Sequence, residues 1–204
     1  MTPTSAQDDL AFMRSLVDTT GGFQRSFGEA YFAAGLCYGL QMLLHAGQLA
    51  GWIGDGPFVG LLIGLGPTIV FLSLLTWIIL RGRREPTGGG VVSRAIGALF
   101  ASVGVANLAL IAVIGSVAWR EQNFTIWLIY PCVVLILQGM AWMVVYALRR
   151  RVWYGVVAFG WFLTGVAMAL AIQSPTAFIA IGGVGFIALM LVPGWILMRR
   201  SMAA

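Results

Sequence analysis

Residues 57–84 read PFVGLLIGLGPTIVFLSLLTWIILRGRR, and this stretch decides the fold. It has no charged side chain between positions 57 and 80, and three arginines then follow within four positions. About 20 apolar residues are enough for an α-helix to cross a bilayer. Because lipid offers no hydrogen-bonding partners to an open backbone, helix is the conformation expected for such a segment. The stretch therefore predicts a transmembrane helix that ends at an arginine-rich membrane surface.

The rest of the chain repeats this pattern in five further apolar segments. They cover 29–50, 95–118, 124–148, 152–173 and 176–198. Of all residues, 60% are hydrophobic and only 9% are charged, whereas an average soluble domain is about 25% charged. This composition excludes an ordinary soluble enzyme, a disordered protein and a direct nucleic-acid binder. We expect an all-α, polytopic membrane bundle of six transmembrane helices whose main partner is the lipid bilayer.

The arginines predict how the segments are oriented. If there are six spans, eleven of the twelve arginines lie on one side of the membrane, and Arg120 alone lies on the other. Positive residues favour the cytoplasmic side, so we expect an inner-membrane protein of bacterial type with both termini in the cytoplasm. The connections on the other side are short, at 51–56, 119–123 and 174–175. Short connections predict three antiparallel helical hairpins.

Three regions follow from this topology: a cytoplasmic tail over 1–28, the six-span domain over 29–198 and a second cytoplasmic tail over 199–204. Within the first tail, 5–18 predicts a short amphipathic helix because its apolar residues recur on one face. Those apolar residues are Leu10, Met13, Leu16 and Val17. Such a helix could lie on the bilayer surface or pack under the bundle. Alternatively, it could be a docking site for a cytoplasmic protein.

The first span carries an unusual row of polar side chains. Tyr31, Tyr38, Gln41, His45 and Gln48 follow one another at steps of seven, three, four and three. This spacing places them on one face of a helix. A polar face turned to lipid is costly, so we expect it to look into the bundle or a wet cavity, away from Leu36 and Leu43. It suits either a ligand or ion path, or hydrogen bonds between helices worth roughly 0.6 kcal/mol each.

Other spans add a second set of neutral polar groups. Asn107 and Thr164 are placed near the membrane midplane with Gln41, and Gln138 lies in the inner half of its span. A midplane polar layer is where many transporters bind substrate, and it is also a common way to join helices. His45 lies roughly 24 Å above the inner end of its helix at 1.5 Å per residue. As a histidine it is compatible with a pH response or with a structural role.

Absent residue patterns narrow the function further. All seven acidic residues lie in tails, loops or span ends, which argues against a proton carrier built on buried carboxylates. The chain has one histidine, and Cys37 and Cys132 lack metal-binding spacing. It has no lysine for Schiff-base chemistry. We therefore expect no metal, no cofactor and no enzymatic activity.

Two stretches near the N-terminus carry a resemblance. DDLAFMRSLV at 8–17 and EAYFAAGLCYGLQMLLH at 29–45 resemble a group of uncharacterised bacterial inner-membrane proteins with six helices. That group is associated with small DNA-binding regulators encoded nearby. The resemblance covers about the first 50 residues and transfers no catalytic residue. It implies a regulatory protein partner.

Two functional hypotheses remain. The first is a non-enzymatic sensor, regulatory or scaffold subunit of the inner membrane with a cytoplasmic partner. The second is a small transporter or permease subunit that uses the polar face of the first span. Its tentative ligand-binding residues are Tyr38, Gln41, His45, Gln48, Asn107, Gln138 and Thr164. The small residues that repeat along the spans suit packing within the chain or association of identical copies.

Overall fold

The computed structural model of the protein describes residues 21–82 and 90–202. Every regular element in these ranges is helical, which confirms the all-α prediction. The elements are α1 (Gly21–Leu49), α2 (Pro57–Gly82), α3 (Val91–Arg120), α4 (Phe124–Trp127), α5 (Ile129–Arg149), α6 (Val152–Leu170), α7 (Pro175–Phe186), a π-helical turn (Ile187–Leu191) and α8 (Val192–Met202). The amphipathic helix predicted at 5–18 lies outside the described residues.

Five stretches of the described chain are long and apolar enough to cross a membrane: α2, α3, α4 with α5, α6, and α7 continued through α8. Their mean hydropathy lies between 1.6 and 2.3. This supports a multi-pass membrane protein. α1 is as long as the others, with 29 residues, but it is not among the five. Its row of tyrosine, glutamine and histidine side chains lowers its hydropathy.

α1 is the central helix of the bundle. It packs along α2 on one side and along α7, the π-helical turn and α8 on another. Glycines allow α1 to approach the π-helical turn and α8 closely: a Cβ atom added at Gly35 would lie 2.7 Å from the Cα of Leu191 in the turn, and one at Gly194 in α8 would lie 2.8 Å from the Cα of Phe32. The least apolar of the long helices therefore packs against other helices on two sides.

α5 and α6 form a second tight pair. Arg150 adopts a left-handed conformation, with φ of 53°, and its N–H donates to the carbonyl of Tyr146. This turn reverses the chain at once, so the two helices run antiparallel. Gly139 and Gly165 lie where the helices touch, and an added Cβ at Gly165 would lie 3.1 Å from the carbonyl oxygen of Cys132.

α2 and α3 lie at the edge of the bundle. α2 packs mainly on α1, and α3 packs on α4 and α5. Both present large apolar side chains outward, as expected where helices face lipid. Gly60 and Gly64 have no atom within 4 Å of an added Cβ. Of the two alternatives for the repeating small residues, close packing within the chain therefore does not hold at these two positions, because α2 has only one face against the protein.

Prolines interrupt two of the spans. A proline lacks the N–H that would bond the carbonyl four residues earlier, and its ring crowds that carbonyl. Pro131 removes the donor for Trp127, which is where α4 ends. Pro193 removes the donor for Leu189, and the chain responds with the π-helical turn, in which the N–H of Val192 bonds the carbonyl of Ile187.

Candidate functional site

The hydroxyl of Tyr31 is the centre of a hydrogen-bond network that joins three helices. It accepts hydrogen bonds from the indole N–H groups of Trp142 on α5, at 2.6 Å, and Trp161 on α6, at 3.0 Å. It donates to the side-chain carbonyl of Gln138 on α5, at 3.4 Å. Tyr31 is 5% exposed and both tryptophans are fully buried. All hydrogen-bonding capacity of this hydroxyl is used by the protein itself.

Aromatic rings surround this network. The ring of Phe27 stacks on that of Tyr31 at 5.6 Å, and Phe100 from α3 meets both Phe27 and Trp142. Tyr154 from α6 lies 5.6 Å from the ring of Trp142. Aromatic pairs in such tilted arrangements each add roughly 0.5–1.5 kcal/mol beyond area burial. The cluster therefore joins α1, α3, α5 and α6 at one level of the bundle.

The next two polar residues of α1 contact α2. The ring of Tyr38 packs against that of Phe71, with the ring centroids 5.6 Å apart. The side-chain amide of Gln41 donates to the backbone carbonyl of Gly64 at 3.2 Å. A helix carbonyl has a second lone pair and accepts this bond in addition to its own helical one. Both contacts tie the C-terminal half of α1 to α2.

His45 and Gln48 pair with one another near the C-terminal end of α1. The Nδ1 atom of His45 lies 3.1 Å from the side-chain oxygen of Gln48, so the donor is the ring N–H. Both side chains are half-buried. The pair lies within a single helix. No other described side chains join it in a group that could hold a metal ion.

The predicted orientation of α1 is confirmed. Tyr38, Gln41 and His45 are half-buried, whereas Leu36 is 52% exposed and Leu43 is 62% exposed. The polar face of α1 looks into the bundle and its leucine face looks out.

The structure does not join the predicted midplane groups into one layer. Thr164 donates to the carbonyl of Gly160 in its own helix at 2.8 Å, and no hydrogen bond links it to Gln41. The side-chain oxygen of Asn107 is buried and has no hydrogen-bond partner within the described ranges. Thr164 instead lines an open apolar groove of about 500 Å³ between α6 and α7. Each of these polar groups therefore has its own local surroundings.

Comparisons with protein-family models, with curated proteins and with solved structures found no match. The resemblance of the N-terminal segments accordingly stays a prediction. Across residues 21–82 and 90–202, no three His, Cys, Asp or Glu side chains lie together in a way that could hold a metal ion. Cys37 and Cys132 are buried, and each is a free thiol.

The arginines of the described chain other than Arg120 gather at one end of the bundle. Glu29 on α1 bonds both Arg25 and Arg81, and so joins α1 to α2 at this end. Contacts between Gly28 and Met198 and between Arg149 and Ser93 bring α8, α5 and α3 to the same level. Four more arginines at this end are exposed and have no carboxylate partner in the part of the chain that the structure describes: Arg94, Arg150, Arg151 and Arg199.

Sequence reasoning missed the role of the two deep tryptophans. Trp142 and Trp161 were not among the predicted site residues, and their indole N–H groups bond Tyr31. A signal was present, because a tryptophan far from the membrane surface needs an acceptor for its N–H. The acceptor itself lies more than 100 residues away along the chain and no spacing rule identifies it.

We predict opposite outcomes when the two midplane amides are replaced by leucine. Gln41→Leu removes a hydrogen bond to α2 and should lower the free energy of unfolding by about 0.6–1.7 kcal/mol. Asn107→Leu removes a desolvated and unpaired amide, so stability should be unchanged or raised. Melting curves of the two purified variants in the same detergent test this. A clear destabilisation by Asn107→Leu would mean that the amide has a partner.

Proposed function

We propose that the protein is a non-enzymatic, multi-pass protein of the bacterial inner membrane that acts as a sensor, regulatory or scaffold subunit for a cytoplasmic protein. The observation that carries the proposal is the internal pairing of the polar face of α1. Side chains that bind a transported ligand must be available to it, whereas Tyr31 and Gln41 already bond protein groups. The polar face thus serves to hold helices together.

The arginine-rich end supports a partner of protein type. Exposed guanidinium groups without carboxylate partners present donors that an acidic protein surface would satisfy. Charge of one sign over a surface also steers an oppositely charged partner toward it. Arg150 and Arg151 lie in the tight turn between α5 and α6, the most firmly packed pair, so this part of the surface is held in place.

The proposed topology has six spans arranged as three hairpins, with both termini in the cytoplasm. α1 supports it although its hydropathy is lower. Its end near Glu29 meets the end of α2 near Arg81, and the other ends are joined by the short connection that follows Leu49. α1 is thus antiparallel to α2 over a similar length. If α2 crosses the membrane, α1 crosses with it.

Reporter fusions test this topology. A fusion at position 88 and a fusion at the C-terminus should both report the cytoplasm, because both follow arginine-rich span ends. A fusion after Asp55, in the connection between α1 and α2, should report the opposite side. A periplasmic C-terminus would contradict the six-span assignment.

Photo-crosslinking in intact cells tests the proposed partner. We expect a crosslinker placed at Arg199, which is exposed at the arginine-rich end, to capture a protein that mass spectrometry identifies. The matched control is a crosslinker at Asp55, which is exposed at the other end. The captured protein should disappear when Arg150 and Arg151 are both replaced by glutamine. Capture of the same proteins from both ends would rule out a specific partner at the arginine-rich surface.

The alternative is a small transporter or permease subunit. It requires that Gln41 and its neighbours release their protein partners to a substrate. Loss of a growth or uptake phenotype in Gln41→Leu, with normal melting behaviour, would favour this alternative. Loss of the phenotype only in proportion to the loss of folded protein favours the scaffold.

A further inference from the structure

α2 is attached to the rest of the protein along a single face. It packs mainly on α1, and of its 26 residues only Ile63 and Ile78 are buried. Among the five apolar spans it has the smallest buried fraction. Segments with few buried contacts are the ones that open most readily. The position of α2 therefore depends on a small number of individual contacts with α1.

A weak point lies in the middle of α2, at the sequence Gly64-Leu65-Gly66-Pro67. α2 stays helical through this sequence. Pro67 nevertheless has no N–H to donate to the carbonyl of Ile63, four residues earlier. Gly64 and Gly66 lack the side chains that restrict the backbone. Helices bend at prolines and at small residues of this kind, so the two halves of α2 can change their relative angle here.

The N-terminal half of α2 is held by its connection to α1. The backbone N–H groups of Trp52 and Ile53 bond the carbonyl of Gly47, and the side chain of Ile53 packs on Gly47. Gln41 bonds the carbonyl of Gly64 at the end of this half. The N-terminal half is therefore expected to stay with α1.

The C-terminal half of α2 is joined to α1 by an ion pair at its far end. Arg81 bonds Glu29 of α1. Between Pro67 and this ion pair, the ring of Phe71 packs on a ring of α1 and Ile78 is buried. The ion pair is the contact farthest from Pro67, so it has the most leverage on the angle of this half.

Both members of this ion pair have a second partner on their own helix. Glu29 also bonds Arg25, at 3.0 Å. The guanidinium of Arg81 lies 4.8 Å from the centre of the Trp77 ring, within the range of a cation–π interaction. Separating Arg81 from Glu29 therefore leaves neither charge without compensation, which lowers the cost of opening the pair.

We propose that residues 68–82 form a movable arm, which pivots at Gly66 and Pro67 and is latched to α1 by the ion pair between Arg81 and Glu29. The arm is roughly 22 Å long at 1.5 Å per residue, so a rotation of about 10° moves its end by roughly 4 Å. When the latch opens, Arg81 joins the exposed arginines at this end without its carboxylate partner. The arm does not depend on the proposed protein partner, and it is tested on purified protein without one.

Distances between spin labels test the arm, measured by double electron–electron resonance on the full-length protein in lipid nanodiscs. One pair of labels joins Leu80 on the arm to Leu148 at the end of α5. A second pair joins Leu62 in the N-terminal half of α2 to Leu170 at the end of α6. All four side chains are exposed. The labels are attached through cysteine substitutions, after the two native cysteines are replaced by alanine.

Glu29→Gln removes the latch. We expect the distance between the first pair to gain a second population displaced by roughly 4 Å or more, while the distance between the second pair stays the same. Glu121→Gln is the matched control, because it removes an exposed carboxylate that forms no ion pair within the described residues. It should change neither distance. Adding Pro67→Ala to Glu29→Gln restores the missing N–H and should shrink the second population at least about two-fold.

Three results would overturn the proposal. The first is an unchanged distance between Leu80 and Leu148 in Glu29→Gln. The second is an equal displacement of both label pairs, which would mean that α2 moves as one rigid helix. The third is a second population that keeps its full size when Pro67→Ala is added. If Glu29→Gln does not accumulate, Arg81→Gln breaks the same ion pair from the other helix and takes its place, with the same expected results.

Discussion

Replacing Gly194 by leucine should prevent the bundle from forming. An added Cβ at this position meets the backbone of Phe32 on α1, and Gly28 lies against the same contact. Backbone atoms cannot rotate away as a side chain can, so α8 must move off α1 along its length. Overpacking of a well-packed core usually costs 1–3 kcal/mol, and we expect about 3 kcal/mol or more here.

The measurement is the amount of monodisperse protein in detergent extracts and its melting temperature. Gly60→Leu is the matched control, because it adds the same side chain to a helix position with open space around it. It should accumulate normally and gain up to about 1 kcal/mol from helix propensity. Equal accumulation of the Gly194 and Gly60 variants would show that the approach of α1 and α8 is not required.

Replacing Tyr31 by phenylalanine should have the second largest effect. The ring and its stacking on Phe27 are kept, and only the hydroxyl is lost. The buried N–H groups of Trp142 and Trp161 then lose their acceptor, and each unsatisfied donor costs about 1–3 kcal/mol. We expect a loss of about 2–5 kcal/mol, reduced if a water molecule enters.

Thermal unfolding followed by tryptophan fluorescence measures this loss. Tyr146→Phe is the control, because the ring of Tyr146 packs on Gly155 and its hydroxyl makes no hydrogen bond within the described residues. A Tyr31→Phe variant as stable as the control would contradict the role given to the network.

The residues that form the polar face of α1 were predictable, because the period of the helix alone determines which residues lie on the same face. Tyr38 and Gln41 point inward and Leu43 outward for that reason. Their partners were not predictable. Gln41 bonds a backbone carbonyl, that of Gly64, and every residue has one. The carbonyl of Gly64 faces Gln41 because of the rotation of α2 about its own axis. No local sequence pattern specifies that rotation.

The glycines also show that sequence spacing alone does not predict which residues are in contact. Gly35 with Gly39 and Gly60 with Gly64 have identical spacing. Gly35 is pressed against Leu191, whereas Gly60 faces open space. The spacing indicates that another helix could approach closely at these positions. Whether a helix is present there depends on how the six helices pack around one another. The pairing of the first helix with the last, and the position of α2 and α3 at the edge, follow from that competition.

The contact between α1 and α8 has a consequence for how the protein is made. Among the long helices of the described chain, α1 is made before the others and is the least apolar, and its partners after Pro175 are made after the others. At 5–20 residues per second, roughly 6–25 s pass between them. During this delay the face of α1 that later packs on α8 is not covered by it. We expect another protein to cover this face in the meantime. We expect stalled nascent chains ending before 175 to crosslink through α1 to the insertion machinery, and chains released at that length to be degraded.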